Sequence, residues 1–132
     1  QKHFNNIEFM IDFATLSYAP ISLGCGLFEI LMSNNKKLSS KIITLGKSIG
    51  EDFVQLPIYD KHVEDTQSSI ADIKNEEFGN KCKGGNTIMA AAFLKNFVSN
   101  EIPWCHIDLG GLSGKLGSGI KTIVSLITGY RK

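Results

Sequence analysis

Apolar positions in this chain switch between strand-like runs and helix-like stripes. Ile7 to Thr15 reads Ile-Glu-Phe-Met-Ile-Asp-Phe-Ala-Thr, a mostly apolar run rich in strand formers. Such a run predicts a strand covered on both faces, as in a parallel or mixed sheet. Asp12 interrupts it, and a buried carboxylate needs partners, so it is expected as a satisfied structural acid at a strand end. Pro20, Gly24 and Gly26 predict a turn leading into a second strand over Ile21–Cys25, and Gly26–Met32 fits either a strand or a helix. Ser33-Asn34-Asn35 is a helix-start signal. Beyond it Leu38, Ile42, Leu45 and Ile49 recur at helical spacing, with Lys36, Lys37, Lys41 and Lys47 on the wet side and Gly50 placed to close the helix.

The second half has the same grammar. Phe53–Ile58 is a short extended piece, in which Pro57 excludes a central strand position at its own site. Tyr59–Gln67 is polar and charged, and Ser68–Lys83 reads as a surface loop. Gly84-Gly85-Asn86 then introduces a helix over Thr87–Ser99, apolar on more than one stripe and so packed on several sides. Pro103-Trp104-Cys105-His106-Ile107-Asp108-Leu109-Gly110-Gly111 reads as a short buried strand that stops at glycines, followed by a helix over Gly119–Thr128. Helix, strand, glycine loop and helix in that order predict an α/β fold, a mixed sheet flanked by helices on both faces. The 132 residues, 1–132, are read as one domain or part of one, with no internal repeat.

Composition changes this picture little. Apolar residues at 42% are ordinary for a globular core. A net charge of +1 gives no electrostatic footprint for nucleic acid or a membrane surface, and neither is expected as a partner. No apolar run approaches the roughly 20 residues of a transmembrane helix. The chain has no signal-peptide pattern and does not begin with Met, as expected of a processed product or a piece of a longer chain. Cys25, Cys82 and Cys105 form no C-x-x-C pair; they are expected as small, partly buried hydrophobes in an intracellular, reducing compartment such as the cytoplasm or an organelle matrix.

Candidate chemistry is sparse. His3, His62 and His106 lie far apart, and none has a metal-ligating neighbour at zinc-helix spacing. Cys105 and His106 are adjacent in a strand and should point to opposite faces. His106 and Asp108 share a face and are predicted to pair as a core imidazole–carboxylate hydrogen bond; a catalytic dyad would need a nucleophile, and no serine sits in a G-x-S-x-G elbow. The run Gly110–Gly119 follows a strand and opens a helix, a context that suits anion binding. A P-loop nevertheless fails at Leu109 and Leu116, and no acid lies about 20 residues on for a dinucleotide. The expectation is a flexible loop with close helix–strand packing.

Trp104-x-His106-x-Asp108-x-x-Gly111, with Ala91-x-Phe93-Leu94-x-x-Phe97-Val98 upstream, resembles the C-terminal end of the leucyl (cytosol) aminopeptidase family. The likeness runs from Ile11 to Leu126 and rests on several further pieces in order. Asp12-x-Ala14-Thr15-Leu16 is similar to the family's Asp-x-Ala-Thr-Leu-Thr-Gly-Ala. Gly50-Glu51 and Leu56-Pro57 match a Gly-Glu and Leu-Pro pair, and Ser69-x-Ala71-Asp72-Ile73-x-Asn75 a Ser-x-x-Ala-Asp-x-x-Asn segment. Gly117-Ser118-Gly119-Ile120-Lys121 resembles the Gly-x-Gly-Val-Arg that begins the last helix.

The resemblance implies the C-terminal half of a catalytic domain that binds two divalent metals, zinc or manganese, and removes N-terminal residues from peptides. The family's metal ligands, a lysine and several carboxylates, sit mostly upstream, including the signature Asn-Thr-Asp-Ala-Glu-Gly-Arg. That signature is missing here, so this chain alone is expected to hold no catalytic residue, no metal and no cofactor. The site element that carries over is the substrate-lining loop with Thr15, Leu16 and Tyr18, the last standing where the family has glycine. A ring there is expected to fill the pocket, packed against the Leu112–Gly119 loop, and the loop after Gly111 is shorter than the family's. The resulting expectation is a catalytically degenerate fragment kept as a structural or assembly subunit. The alternative is the C-terminal portion of a working two-metal aminopeptidase. In either case the expected partner is protein: its own upstream half, copies of itself, or a larger assembly.

Overall fold

The computed structural model describes residues 6–17, 19–75, 86–111 and 117–129. Among the described residues, four strands form one sheet in the order β1-β4-β2-β3: β1 (Met10–Ala14), β2 (Glu29–Ser33), β3 (Phe53–Gln55) and β4 (Trp104–Asp108). β1 runs parallel to β4, β2 antiparallel to β4, and β3 parallel to β2, so the sheet is mixed as expected. The last strand in sequence is inserted in the middle, and all of its residues are buried. That central position explains why the Trp104–Asp108 run does not alternate: both faces and both edges are covered.

The helices are α1 (Ala19–Gly24), α2 (Lys36–Ile49), α3 (Asp60–Glu64), α4 (Asn86–Lys95) and α5 (Ile120–Thr128). On one face Leu31, Phe53, Cys105 and Ile107 meet Leu38 and Ile42 of α2 and Leu126 of α5. On the other Ile30, Met32 and Trp104 meet Ala91 and Leu94 of α4. Cys105 and His106 therefore do face opposite layers.

Local chemistry sets most boundaries. Asn35 caps α2, its side chain accepting from Leu38 N–H at 2.9 Å, and Gly50 closes the helix at φ 79°. Gly46, inside that helix, sits where the returning chain passes: a Cβ there would collide with the Glu51 carbonyl and the Phe53 ring. α5 opens at Gly119, which has no side chain to cap it, and Glu51 does so from the far end of α2. Its Oε2 accepts from the Thr122 backbone N–H at 2.9 Å and from the Thr122 hydroxyl at 2.6 Å. A carboxylate at a helix N-terminus satisfies orphan donors and complements the macrodipole. Glu51→Ala should therefore lower unfolding free energy by about 1–2 kcal/mol in a urea titration.

Two expectations need correction, and one stretch without an assigned element gains one. Ile21–Cys25 is not a strand but most of α1: Pro20 fits a first helical turn, and Cys25 N–H bonds the Ile21 carbonyl at 3.0 Å before the chain turns at Cys25 (φ 46°) and Gly26 (φ 79°). The polar Tyr59–Gln67 stretch contains α3, which is held by the Tyr59 N–H to His62 Nδ1 bond at 3.2 Å and a Lys61–Asp65 pair at 2.7 Å. α4 stops at Lys95 rather than Ser99, with Phe97 N–H turning back to the Leu94 carbonyl at 3.0 Å. Gly26–Met32 resolves as a turn and β2. The loop expected over Ser68–Lys83 is irregular through residue 75 and lies outside the described residues beyond it.

Candidate functional site

β1 and β4 end side by side, and their C-terminal ends build the candidate site. Ala14 is the last residue of β1, and its carbonyl accepts from Leu109 N–H at 3.0 Å. Thr15 and Leu16 follow directly and are exposed. The chain then passes over Gly110, where a Cβ would meet the Ser17 carbonyl and Pro20 side chain, each at 3.2 Å. A glycine is needed there for close approach. Tyr18, its predicted burial and the residues it was expected to pack against at 112–116 lie outside the described residues, as does Cys82.

Beneath this end lies a set of buried polar groups, arranged differently from the sequence expectation. His106 and Asp108 share a face but do not pair. The His106 ring sits directly opposite Asp12 in the β1–β4 register, and Nδ1 lies 2.5 Å from Asp12 Oδ1. Trp104 Nε1–H donates to Asp12 Oδ2 at 2.6 Å. Asp12 is thus satisfied as expected, but from mid-strand rather than a strand end. Asp108 turns to other elements: its Oδ2 accepts from the Thr87 hydroxyl of α4 at 2.5 Å and its Oδ1 from Gly110 N–H at 3.1 Å. Side chains two apart on a strand project in parallel, so a cross-strand neighbour or a helix above reaches each more easily than they reach one another. Thr87, His106 and Asp108 are all fully buried. Thr87→Val should cost about 1–3 kcal/mol, the penalty of leaving buried Asp108 short of a donor, read from the urea midpoint.

Sequence reasoning missed two further carboxylates. Glu29 is buried and its Oε2 accepts from Gly111 N–H at 3.1 Å, tying the turn after β4 to the start of β2. Glu51 caps α5, as described above. Each reaches across a long stretch of chain, and no local spacing announces it.

The cysteines divide. Cys25 is exposed, unlike the expectation, and Cys105 is buried. Burial in the apolar layer, reinforced by the negative charge of Asp12, pushes the Cys105 thiol from 9.0 up to about 12. A folded-state value above the unfolded one means that the native state holds its proton longer. Its contribution is fully present below pH 9.0 and is lost as pH rises toward about 12. Comparing wild type with Cys105→Ala by urea titration should show wild type losing stability relative to the variant across that window, with no pH-dependent difference below it.

The family's metals can be tested against these donors. Among the described residues no group of three or more His, Cys, Asp or Glu side chains converges. Asp12, Asp108 and Glu29 are each engaged by protein donors. The described residues do not fit a divalent metal pair. Among them, too, no helix is long and apolar enough to cross a membrane.

A mixed sheet with helices on both faces, offering its loops at the C-terminal ends of a parallel strand pair, is an α/β architecture. The catalytic-domain signature of the cytosol aminopeptidase family matches residues 1–131, and the chain belongs to that family. It is 35% identical to a probable cytosol aminopeptidase of Chloroherpeton thalassium, over 98% of this chain and 27% of that protein. One from Caulobacter vibrioides is 39% identical over 93% of this chain and 24% of its own length. Among solved structures, a mutant of tomato leucine aminopeptidase superposes with a TM-score of 0.78 at 25% identity, covering 93% of this chain and 25% of that one. The bottromycin maturation enzyme BotP in complex with Mn gives a TM-score of 0.78 at 25% identity, over 92% of this chain and 29% of that one. The chain spans about a quarter of the length of these relatives.

Proposed function

We propose that this chain forms the substrate-lining, C-terminal part of a metal-dependent aminopeptidase domain that removes N-terminal residues from peptides, its metal ligands coming from polypeptide outside these residues. One observation carries the reading. Thr15 and Leu16, the family's substrate-lining positions, stand exposed at the end of β1 on a frame of buried polar bonds. Here the chain's own residues would hold and orient the peptide's N-terminal residue along the Thr15–Leu16 backbone. The bound metals would supply Lewis-acid chemistry. The relatives' description as cytosol aminopeptidases supports an intracellular setting.

A second reading keeps the fold and drops the reaction: a catalytically degenerate relative retained as a structural or assembly subunit. Tyr18 in place of the family's glycine favours it, because a ring occupies space that a glycine leaves to substrate. Both readings need a protein partner, either upstream polypeptide, further copies of the chain or a larger assembly. Among the described residues β1 pairs only with β4, leaving its outer edge open, and Phe13, Ile120, Val124 and Ile127 are exposed. An open strand edge beside apolar side chains is a surface that proteins cover.

Hydrolysis of leucine p-nitroanilide with added manganese, by the chain alone and by the assembly that contains it, separates the readings. The expected result is no turnover and no stoichiometric metal for the chain alone, and turnover by the assembly. An assembly that loads metal but leaves the substrate intact would favour the structural reading; two metals bound by the isolated chain would overturn both. Tyr18→Gly should shift the substrate preference of a working assembly and should restore no turnover to a structural one.

A further inference from the structure

We infer that Asp12, His106 and Trp104 form a cross-strand clamp that positions the Thr15–Leu16 backbone for substrate, making His106 and Trp104 positioning residues of the aminopeptidase site. The inference rests on the reading proposed above and assigns a task to a buried cluster otherwise left without one.

The geometry is specific. Asp12 lies directly across from His106, and both of its carboxylate oxygens are engaged from β4, by Trp104 Nε1–H at 2.6 Å and His106 Nδ1 at 2.5 Å. Indole N–H can only donate, and a carboxylate offers lone pairs to both neighbours, so the proton of the imidazole sits on Nδ1. The ring is fully buried, stacked at 29° over the Trp104 ring with centroids 6.5 Å apart. Its Nε2 finds no hydrogen-bond partner among the described residues. Among those residues the imidazole spends its hydrogen-bonding capacity on Asp12 alone.

What the clamp holds follows from chain connectivity. Asp12 is two residues before Ala14, the last ladder position of β1, whose carbonyl takes the Leu109 N–H. Thr15 and Leu16 come next, with no further strand partner among the described residues. The two short side-chain bonds to Asp12 therefore reinforce the β1–β4 ladder just before the exposed backbone emerges.

Three variants in the assembled protein test this. Asp12→Asn keeps the shape but can accept from only one of its two donors. His106→Phe removes the donor; His106→Asn keeps one near the Nδ1 position. The expected result is that Asp12→Asn and His106→Phe raise KM for leucine p-nitroanilide about tenfold with kcat changed far less, and that His106→Asn restores KM. Amide chemical shifts of Thr15 and Leu16 should move with KM, and the nitrogen shifts of wild-type His106 should report a proton on Nδ1. Melting temperatures lowered with KM and these amide shifts unchanged would mean that the cluster serves stability alone and would overturn the clamp. If the wild-type assembly has no peptidase activity, the aminopeptidase reading falls on that measurement. The amide shifts then decide the clamp by themselves: displaced in Asp12→Asn and His106→Phe but not in His106→Asn supports it, and undisplaced in all three overturns it.

Discussion

Trp104→Ala is expected to lower the unfolding free energy by about 3–5 kcal/mol, the range for removing a fully buried tryptophan. Its ring is 1% exposed and fills the layer between β4, Ile30, Met32 and Ala91. The substitution leaves a cavity in that layer and takes the donor from Asp12 Oδ2. The backbone around it would survive: Trp104 N–H still reaches Asn34 Oδ1 at 2.7 Å, and its carbonyl still accepts from Ser33 Oγ. The loss is therefore one of packing and one hydrogen bond, with the register intact. Typical domains hold about 5–15 kcal/mol in total, so the alanine variant should be near the edge of folding. Trp104→Phe separates the two parts. It keeps most of the volume, and its cost of about 1–3 kcal/mol reports the bond to Asp12. Urea unfolding followed by circular dichroism measures both. An alanine variant within 1 kcal/mol of wild type would mean that Trp104 does not anchor this layer.

The sequence made the periodic and capped parts of the fold readable. Leu38 and Ile42, the lysines opposite them, Asn35 at one end and Gly50 at the other describe α2 nearly to the residue. The unbroken Trp104–Asp108 run identified a strand buried on both faces. The strand-like composition of Ile21–Cys25 conceals α1, although a proline near the first turn and a glycine near the last also describe a short helix. α3 is too short and too polar to show an apolar stripe, and its hydrogen bonds are local ones that composition does not reveal.

The candidate site was legible in a different way. Motif order points to Thr15, Leu16 and Tyr18; Thr15 and Leu16 stand exposed directly after β1, and Tyr18 lies outside the described residues. The pairing of Asp12, His106 and Asp108 beneath them was not readable. Within a strand, spacing tells which face a side chain occupies, but partner choice depends on strand order, and β4 had to be inserted beside β1 before Asp12 could face His106. The same holds for Thr87 and Asp108, 21 residues apart, and for Glu51 and Thr122, 71 apart. Such contacts are properties of the topology and leave no trace in any short window of sequence.

Among the described glycines, Gly111→Ala should be the most damaging substitution, at about 3 kcal/mol or more, the upper end of what overpacking costs. The reason is position and not backbone conformation: its φ lies outside the left-handed region. A Cβ at Gly111 would run into the Phe28 carbonyl oxygen and come within 3.1 Å of Glu29 Oε2. The first obstacle is backbone at the entry to β2, which cannot rotate aside as a side chain would. Relief requires the turn after β4 to lift away. That movement breaks Gly111 N–H to Glu29 Oε2 and Gly26 N–H to the Gly111 carbonyl, both 3.1 Å, and leaves the buried Glu29 carboxylate without that donor. It also shifts Gly110, against which the Ser17 carbonyl and Pro20 rest, so the effect should reach the loop carrying Thr15 and Leu16. Gly50→Ala is the control. Gly50 has φ 79° but nothing within 4 Å of its would-be Cβ, so alanine there pays only the left-handed conformation, about 1–2 kcal/mol. Side-by-side urea midpoints should rank Gly111→Ala well below Gly50→Ala, with amide shifts of Thr15 and Leu16 displaced in the first and unmoved in the second. Equal midpoints would show that the turn after β4 can yield, and that its close approach to β2 is not what fixes this end of the sheet.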